Sequence, residues 1–136
     1  MATLGLIEYQ DASPEVRAVY DDIMTSRKVD WITNFWRALA SDPPTLKRTW
    51  DSVKQVMEAG SLDALTKELI YIAVSVTNNC GYCINSHTAG ARKAGMSDAM
   101  FAELQAVIAM ANETNRLANG YQVEIDERVA KAAKQR

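Results

Sequence analysis

Histidine occurs once in this chain, cysteine twice, proline three times and glycine six times in 136 residues. So little Pro and Gly excludes collagen-like and low-complexity architectures. The longest apolar stretch, Leu69 to Val76, is broken by Ser75 and falls far short of the roughly 20 residues that span a bilayer. Met1 to Gln10 lacks the basic start and long apolar run of a secretory signal. Excess positive charge is absent too: 15 Lys and Arg stand against 17 Asp and Glu. The basic residues are scattered mostly singly, so no footprint for a phosphate backbone is present. These absences point to a soluble, cytoplasmic protein that binds neither nucleic acid nor membrane. Two cysteines three residues apart cannot staple distant parts of a fold, and in a reducing compartment such a pair serves catalysis or metal binding.

What the chain does contain is 48% hydrophobic and 24% charged residues, the composition of an ordinary globular protein. Its length fits one domain spanning 1–136. Ala, Leu, Glu, Lys, Gln and Met dominate, and no stretch alternates with period two beside a hairpin dipeptide, so the expected fold class is all-α, a bundle of six to seven helices. Ser13-Pro14 opens a first helix with Val16, Val19, Tyr20, Ile23 and Met24 at helical spacing, running to about Arg27. A short aromatic helix is expected from Trp31 to Leu39, stopped by Asp42-Pro43-Pro44, and a third from Thr45 to Ala59. Asp63 caps a fourth, whose Leu65, Leu69, Ile72 and Val76 form one inward stripe until Thr77-Asn78-Asn79. A fifth helix runs from near Cys80 to Ala94, with Gly95 in the left-handed position. A sixth, capped by Ser97, reaches about Leu117. A short seventh covers Val123 to Lys134, in a charged tail, Glu127 to Arg136, expected to fray. Met96, Met100 and Met110 read as gap-filling core, and Trp31, Phe35, Trp36 and Trp50 as core or subunit contacts.

Chemistry concentrates in Cys80-Gly81-Tyr82-Cys83-Ile84-Asn85-Ser86-His87, which holds both cysteines and the histidine. On a helix Cys83 lies one turn from Cys80 and His87 one turn from Cys83, with Cβ atoms about 5–6 Å apart. A modest adjustment at the helix start lets the sulfurs form a reversible disulfide. Unpaired N–H groups and the positive end of the macrodipole favour thiolate there. An imidazole one turn from Cys83 can accept its proton and store it for a leaving group. Glu68 falls on the buried stripe of the fourth helix, whereas Lys67 and Tyr71 point elsewhere. A lone buried carboxylate is costly, so His87 or a thiol on the adjoining fifth helix is its natural partner, and Glu68 would hold the imidazole in one tautomer.

Glu68, eleven intervening residues, Cys80-x-x-Cys83-x-x-x-His87 and then Ala94-Gly95-Met96-Ser97 resemble the AhpD-like alkylhydroperoxidases of the carboxymuconolactone decarboxylase superfamily, over roughly Pro43 to Asn112. The resemblance implies an all-helical homotrimer or homohexamer that reduces hydroperoxides with its CxxC pair. It implies Cys83 as the peroxidatic thiol, Cys80 as the resolving thiol facing the reductant, and Glu68 and His87 as a proton relay. An external dithiol, which in the family can be a lipoyl group on a partner protein, resets the disulfide. No cofactor or metal enters this cycle. Some members carry a second histidine between the cysteines, where this chain has Tyr82, a phenol titrating near 10; the implied relay is shorter.

Helix-terminus logic alone activates Cys80, whereas the nearness of the base favours Cys83. A dithiol–disulfide oxidoreductase and a redox-sensing protein of the same fold are the rival readings. Lactone decarboxylation ranks last because it has no need of a CxxC pair. A structural zinc held by Cys80, Cys83, His87 and Glu68 is a lesser alternative, since such sites usually draw ligands from two separated pairs. Inert packing of both thiols is another.

Overall fold

Pro14 starts α1 (Pro14–Arg27) where a missing N–H costs nothing, and the Ser13 side chain accepts the Val16 N–H at 3.3 Å. The protein is described from a computed structural model over residues 3–135, so Met1 in the leader reading and Arg136 in the tail reading lie outside the described residues. The helices that follow are α2 (Asn34–Leu39), α3 (Pro43–Met57), α4 (Ala64–Thr77), α5 (Gly81–Lys93), α6 (Asp98–Gly120) and α7 (Glu127–Ala132). A 3-10 turn at Tyr9–Asp11 precedes them, and no strand occurs among the described residues. The chain is all-α. Its described residues divide into two compact units, with the boundary between Glu58 and Ala59.

In the first unit α1 buries Val16, Val19, Tyr20 and Ile23 on one stripe, facing Trp36 of α2 and Leu46 and Trp50 of α3. The Trp36 and Trp50 rings meet edge to face at 5.4 Å, and the Arg27 guanidinium lies over both. Trp36 and Trp50 are core as expected, but Trp31 is 60% exposed and Phe35 41%. The Tyr20 hydroxyl donates to the Ile7 carbonyl at 2.9 Å, and burial holds its phenol above the usual value.

Asp22 ties α1 to α3. Its carboxylate accepts the Trp50 indole N–H at 2.6 Å and Lys54 Nζ at 2.9 Å, and these bonds, the indole's first, hold it below the usual carboxylate range. Asp22→Ala leaves the buried indole N–H without this acceptor and should cost about 1–3 kcal/mol at pH 7 by denaturant unfolding. A carboxylate whose folded value is depressed contributes stability above its unfolded value, about 3.9, and loses it as pH falls through the folded one. The gap between D22A and wild type should therefore close below about pH 4; a gap independent of pH would remove the charge from the explanation.

Three helix starts differ from the sequence expectation, those of α2, α3 and α7, the last beginning at Glu127 instead of Val123. Trp31 to Thr33 precede α2 because Thr33 is extended and serves as its N-cap. Pro43 and Pro44 belong to the first turn of α3 instead of ending before it, since the first helical N–H groups have no intrahelical partner to lose.

In the second unit Ile72, Ala91, Met96 and Ile108 are buried, with Leu65, Leu69, Ala73, Val76, Phe101 and Leu104 packed around them. Asp63 caps α4 by accepting the Thr66 N–H at 2.7 Å, which lowers its carboxyl pKa; Ser97 caps α6 through the Met100 N–H at 3.1 Å. Asn79 takes a left-handed conformation between α4 and α5, and Gly95 does so before α6. α6 continues to Gly120, three residues beyond the expected Leu117, and the left-handed residue that follows it is Gln122. Part of the tail expected to fray forms α7. Met96 is core, but Met100 and Met110 are 36% and 57% exposed, because α6 turns that stripe away from α4 and α5. No helix among the described residues is long and apolar enough to cross a membrane.

Candidate active site

The three-residue link Asn78-Asn79-Cys80 folds α5 back against α4, and the Cys80 N–H donates to the Ser75 carbonyl at 2.9 Å, fixing where α5 begins. Cys80 is the N-cap of α5, and its sulfur accepts the Cys83 N–H at 3.3 Å. Cys80 and Cys83 are joined by a disulfide with Cα atoms 5.3 Å apart. On reduction, the same N–H and the positive end of α5 are in place to favour thiolate at Cys80.

His87 lies four residues after Cys83 on α5, and its Nδ1–H donates to Glu68 Oε2 on α4 at 2.7 Å; both side chains are 19% exposed. The carboxylate thus has the partner that its place on a largely buried stripe demands. With Nδ1 committed to Glu68, Nε2 is the nitrogen free to take up a proton. The structure thus brings Glu68 to His87 and Cys80 to Cys83, and α5 carries the imidazole one turn beyond the second sulfur.

Tyr71 is the residue the sequence reading placed wrongly. Its ring stacks on the His87 imidazole with centroids 3.7 Å apart and planes inclined by 18°, so Glu68 and Tyr71 hold the same imidazole by edge and face. The signal was available, since Tyr71 follows Glu68 by three residues and shares its side of α4. Tyr82 between the cysteines is 44% exposed. Among the described residues no group of three or more His, Cys, Asp or Glu side chains is arranged to hold a metal ion; in the oxidised state the two sulfurs are bonded to each other.

Residues 43–123, more than half of the chain, match the profile of the carboxymuconolactone decarboxylase family. The chain belongs to that family. Within it, the fold superposes on the alkylhydroperoxidase AhpD core from Rhodospirillum rubrum with a TM-score of 0.90 and 50% sequence identity, covering 94% of this chain and 96% of that one. The family member is thus AhpD-like in fold along nearly its whole length. It is also similar to uncharacterized protein 4 in the cox locus of Paracoccus denitrificans, 40% identical over 50 residues, which is 37% of this chain and 45% of that one. Uncharacterized protein YdfG of Bacillus subtilis is 39% identical over 56 residues, 41% of this chain and 37% of that one. The match spans less than half the length of either of these two relatives.

Proposed function

We propose that this AhpD-like protein is an antioxidant thiol peroxidase that reduces hydroperoxides through a Cys80/Cys83 dithiol–disulfide cycle with Glu68 and His87 as proton relay. The observation that carries the reading is the pairing of Glu68 on α4 with His87, which lies on the helix that the bonded cysteines open. The name of the R. rubrum relative, an alkylhydroperoxidase, points the same way.

In the proposed cycle the Cys83 thiolate attacks one oxygen of the hydroperoxide. The O–O bond breaks and the departing alkoxide takes the proton stored on His87, leaving an alcohol and Cys83 sulfenic acid. Cys80 thiolate then attacks the Cys83 sulfur, hydroxide leaves and is protonated to water, and the disulfide forms. The peroxide gains two electrons and the dithiol loses two. An external dithiol, such as a lipoyl group on a partner protein, returns them. Glu68 balances the charge on the imidazolium and keeps Nε2 as the working nitrogen.

We place the enzyme in the cytoplasm, where thiols are kept reduced, as a homotrimer or homohexamer with no nucleic-acid or membrane partner. Self-association is supported by Val107, Met110 and Leu117, all at least half exposed and spaced along one stripe of α6, and by Ile70 and Val74 one turn apart on α4.

A dithiol–disulfide oxidoreductase is the second reading, favoured by the N-cap position of the Cys80 sulfur. Steady-state consumption of cumene hydroperoxide with dihydrolipoamide as reductant separates the two. Turnover that saturates with peroxide is expected. Rapid exchange with dihydrolipoamide but no peroxide consumption would replace the peroxidase with the oxidoreductase.

A further inference from the structure

The Glu68 carboxylate occupies the space that a side chain at position 90 would take. A Cβ built on Gly90 falls 2.7 Å from Glu68 Oε1, 2.8 Å from its Cδ and 2.9 Å from Oε2. Such separations lie inside van der Waals contact, so any other residue here must push the carboxylate away. Gly5, Gly81, Gly95 and Gly120 meet nothing within 4 Å in the same construction. The usual reason for a glycine does not apply at this position either. Gly90 lies inside α5, and the positive-φ glycine of the described chain is Gly95. A helix interior disfavours glycine relative to alanine, so what Gly90 contributes is the space left by its missing side chain.

We propose that Gly90 is a positioning residue, a notch in α5 that seats the Glu68 carboxylate where Oε2 reaches His87 Nδ1. Gly90 follows His87 by three residues, so notch and imidazole share one face of the helix. Tyr71 holds the ring from its flat side, which keeps the imidazole from swinging after a displaced carboxylate. The ionisable groups that touch the ring are Glu68 and Tyr71, both from α4. The effect of Gly90 on turnover rests on the relay proposed above, whereas its effect on the imidazole does not.

The chain's one histidine makes the test direct, because ring 15N shifts report a single tautomer without assignment ambiguity. Wild type, G90A, E68Q and the G90A/E68Q double variant are compared by 15N NMR, thermal unfolding and peroxide turnover. The expected G90A protein stays folded, since the mobile end of Glu68 yields and the alanine gained by the helix offsets part of the lost Glu68–His87 bond. Its His87 loses the Nδ1–H tautomer to the same extent as in E68Q, the double variant shows no further change, and turnover drops to the E68Q level. A wild-type His87 tautomer in G90A overturns the proposal. If G90A fails to fold, E68A/G90A decides: recovery of the fold identifies the carboxylate as the occupant of the notch, and no recovery overturns it. Absence of peroxide turnover in wild type would remove the relay and leave the tautomer readings intact.

Discussion

Cys83→Ser is expected to reduce hydroperoxide consumption to the uncatalysed rate, because the serine hydroxyl offers neither the thiolate that attacks the O–O bond nor a sulfur that can be oxidised. Cys80→Ser has a different signature. The peroxidatic step still occurs once, but the sulfenic acid on Cys83 has no neighbouring thiol to condense with. It should accumulate to one equivalent per chain, trapped by a 1,3-dione reagent and read by mass spectrometry. The two variants also decide which sulfur the peroxide meets. The helix terminus argues for Cys80, whose sulfur accepts the Cys83 N–H, and the base argues for Cys83, one turn from His87. Sulfenic acid trapped in C83S and absent from C80S would reverse the assignment and make Cys80 the peroxidatic residue.

His87→Ala carries the second large effect. If His87 takes the thiol proton and returns it to the departing alkoxide as proposed, its removal should slow oxidation of the reduced protein at neutral pH by roughly 10²- to 10⁴-fold, the usual contribution of a positioned general acid–base. The fold should persist, since His87 contributes to neither buried apolar cluster. Raising the pH should recover part of the lost rate as hydroxide takes over deprotonation of the thiol. Equal rates and equal pH profiles in H87A and wild type would exclude the imidazole from the chemistry. Glu68→Gln should slow the same step less, on the order of tenfold, because a neutral amide is a poorer acceptor that loosens the Nδ1–H tautomer and no longer balances the imidazolium charge, while the imidazole itself stays in place.

Much of this was legible in the sequence because helices announce themselves at short range. Ser13-Pro14, Asp63 and Ser97 opened helices where their side chains or rings predict, and Gly95 turned the chain with positive φ. The Glu68–His87 contact followed from a carboxylate on a buried stripe and a short link between two helices. What failed was set at longer range. Tyr71 stacks on His87 because of the rotation of α4 against α5, which the apolar stripe fixes only to within a side chain. The role of Gly90 needed coordinates, because a glycine inside a helix shows in sequence only as a weak breaker and not as space filled by another residue. Met100 and Met110 read in sequence as gap-filling core, and a long helix such as α6 does not reveal which of its apolar stripes its own chain covers.

The central claim is that the Glu68–His87 pair makes this dithiol reactive toward hydroperoxides, and single-turnover kinetics of the fully reduced protein test it most directly. The second-order rate constant with cumene hydroperoxide, measured from pH 5 to 9 against a free low-molecular-weight thiol, should exceed that of the free thiolate by orders of magnitude and plateau below the usual thiol value of about 8.5. A rate no higher than the free thiol's, rising only with ordinary thiol ionisation, would contradict it.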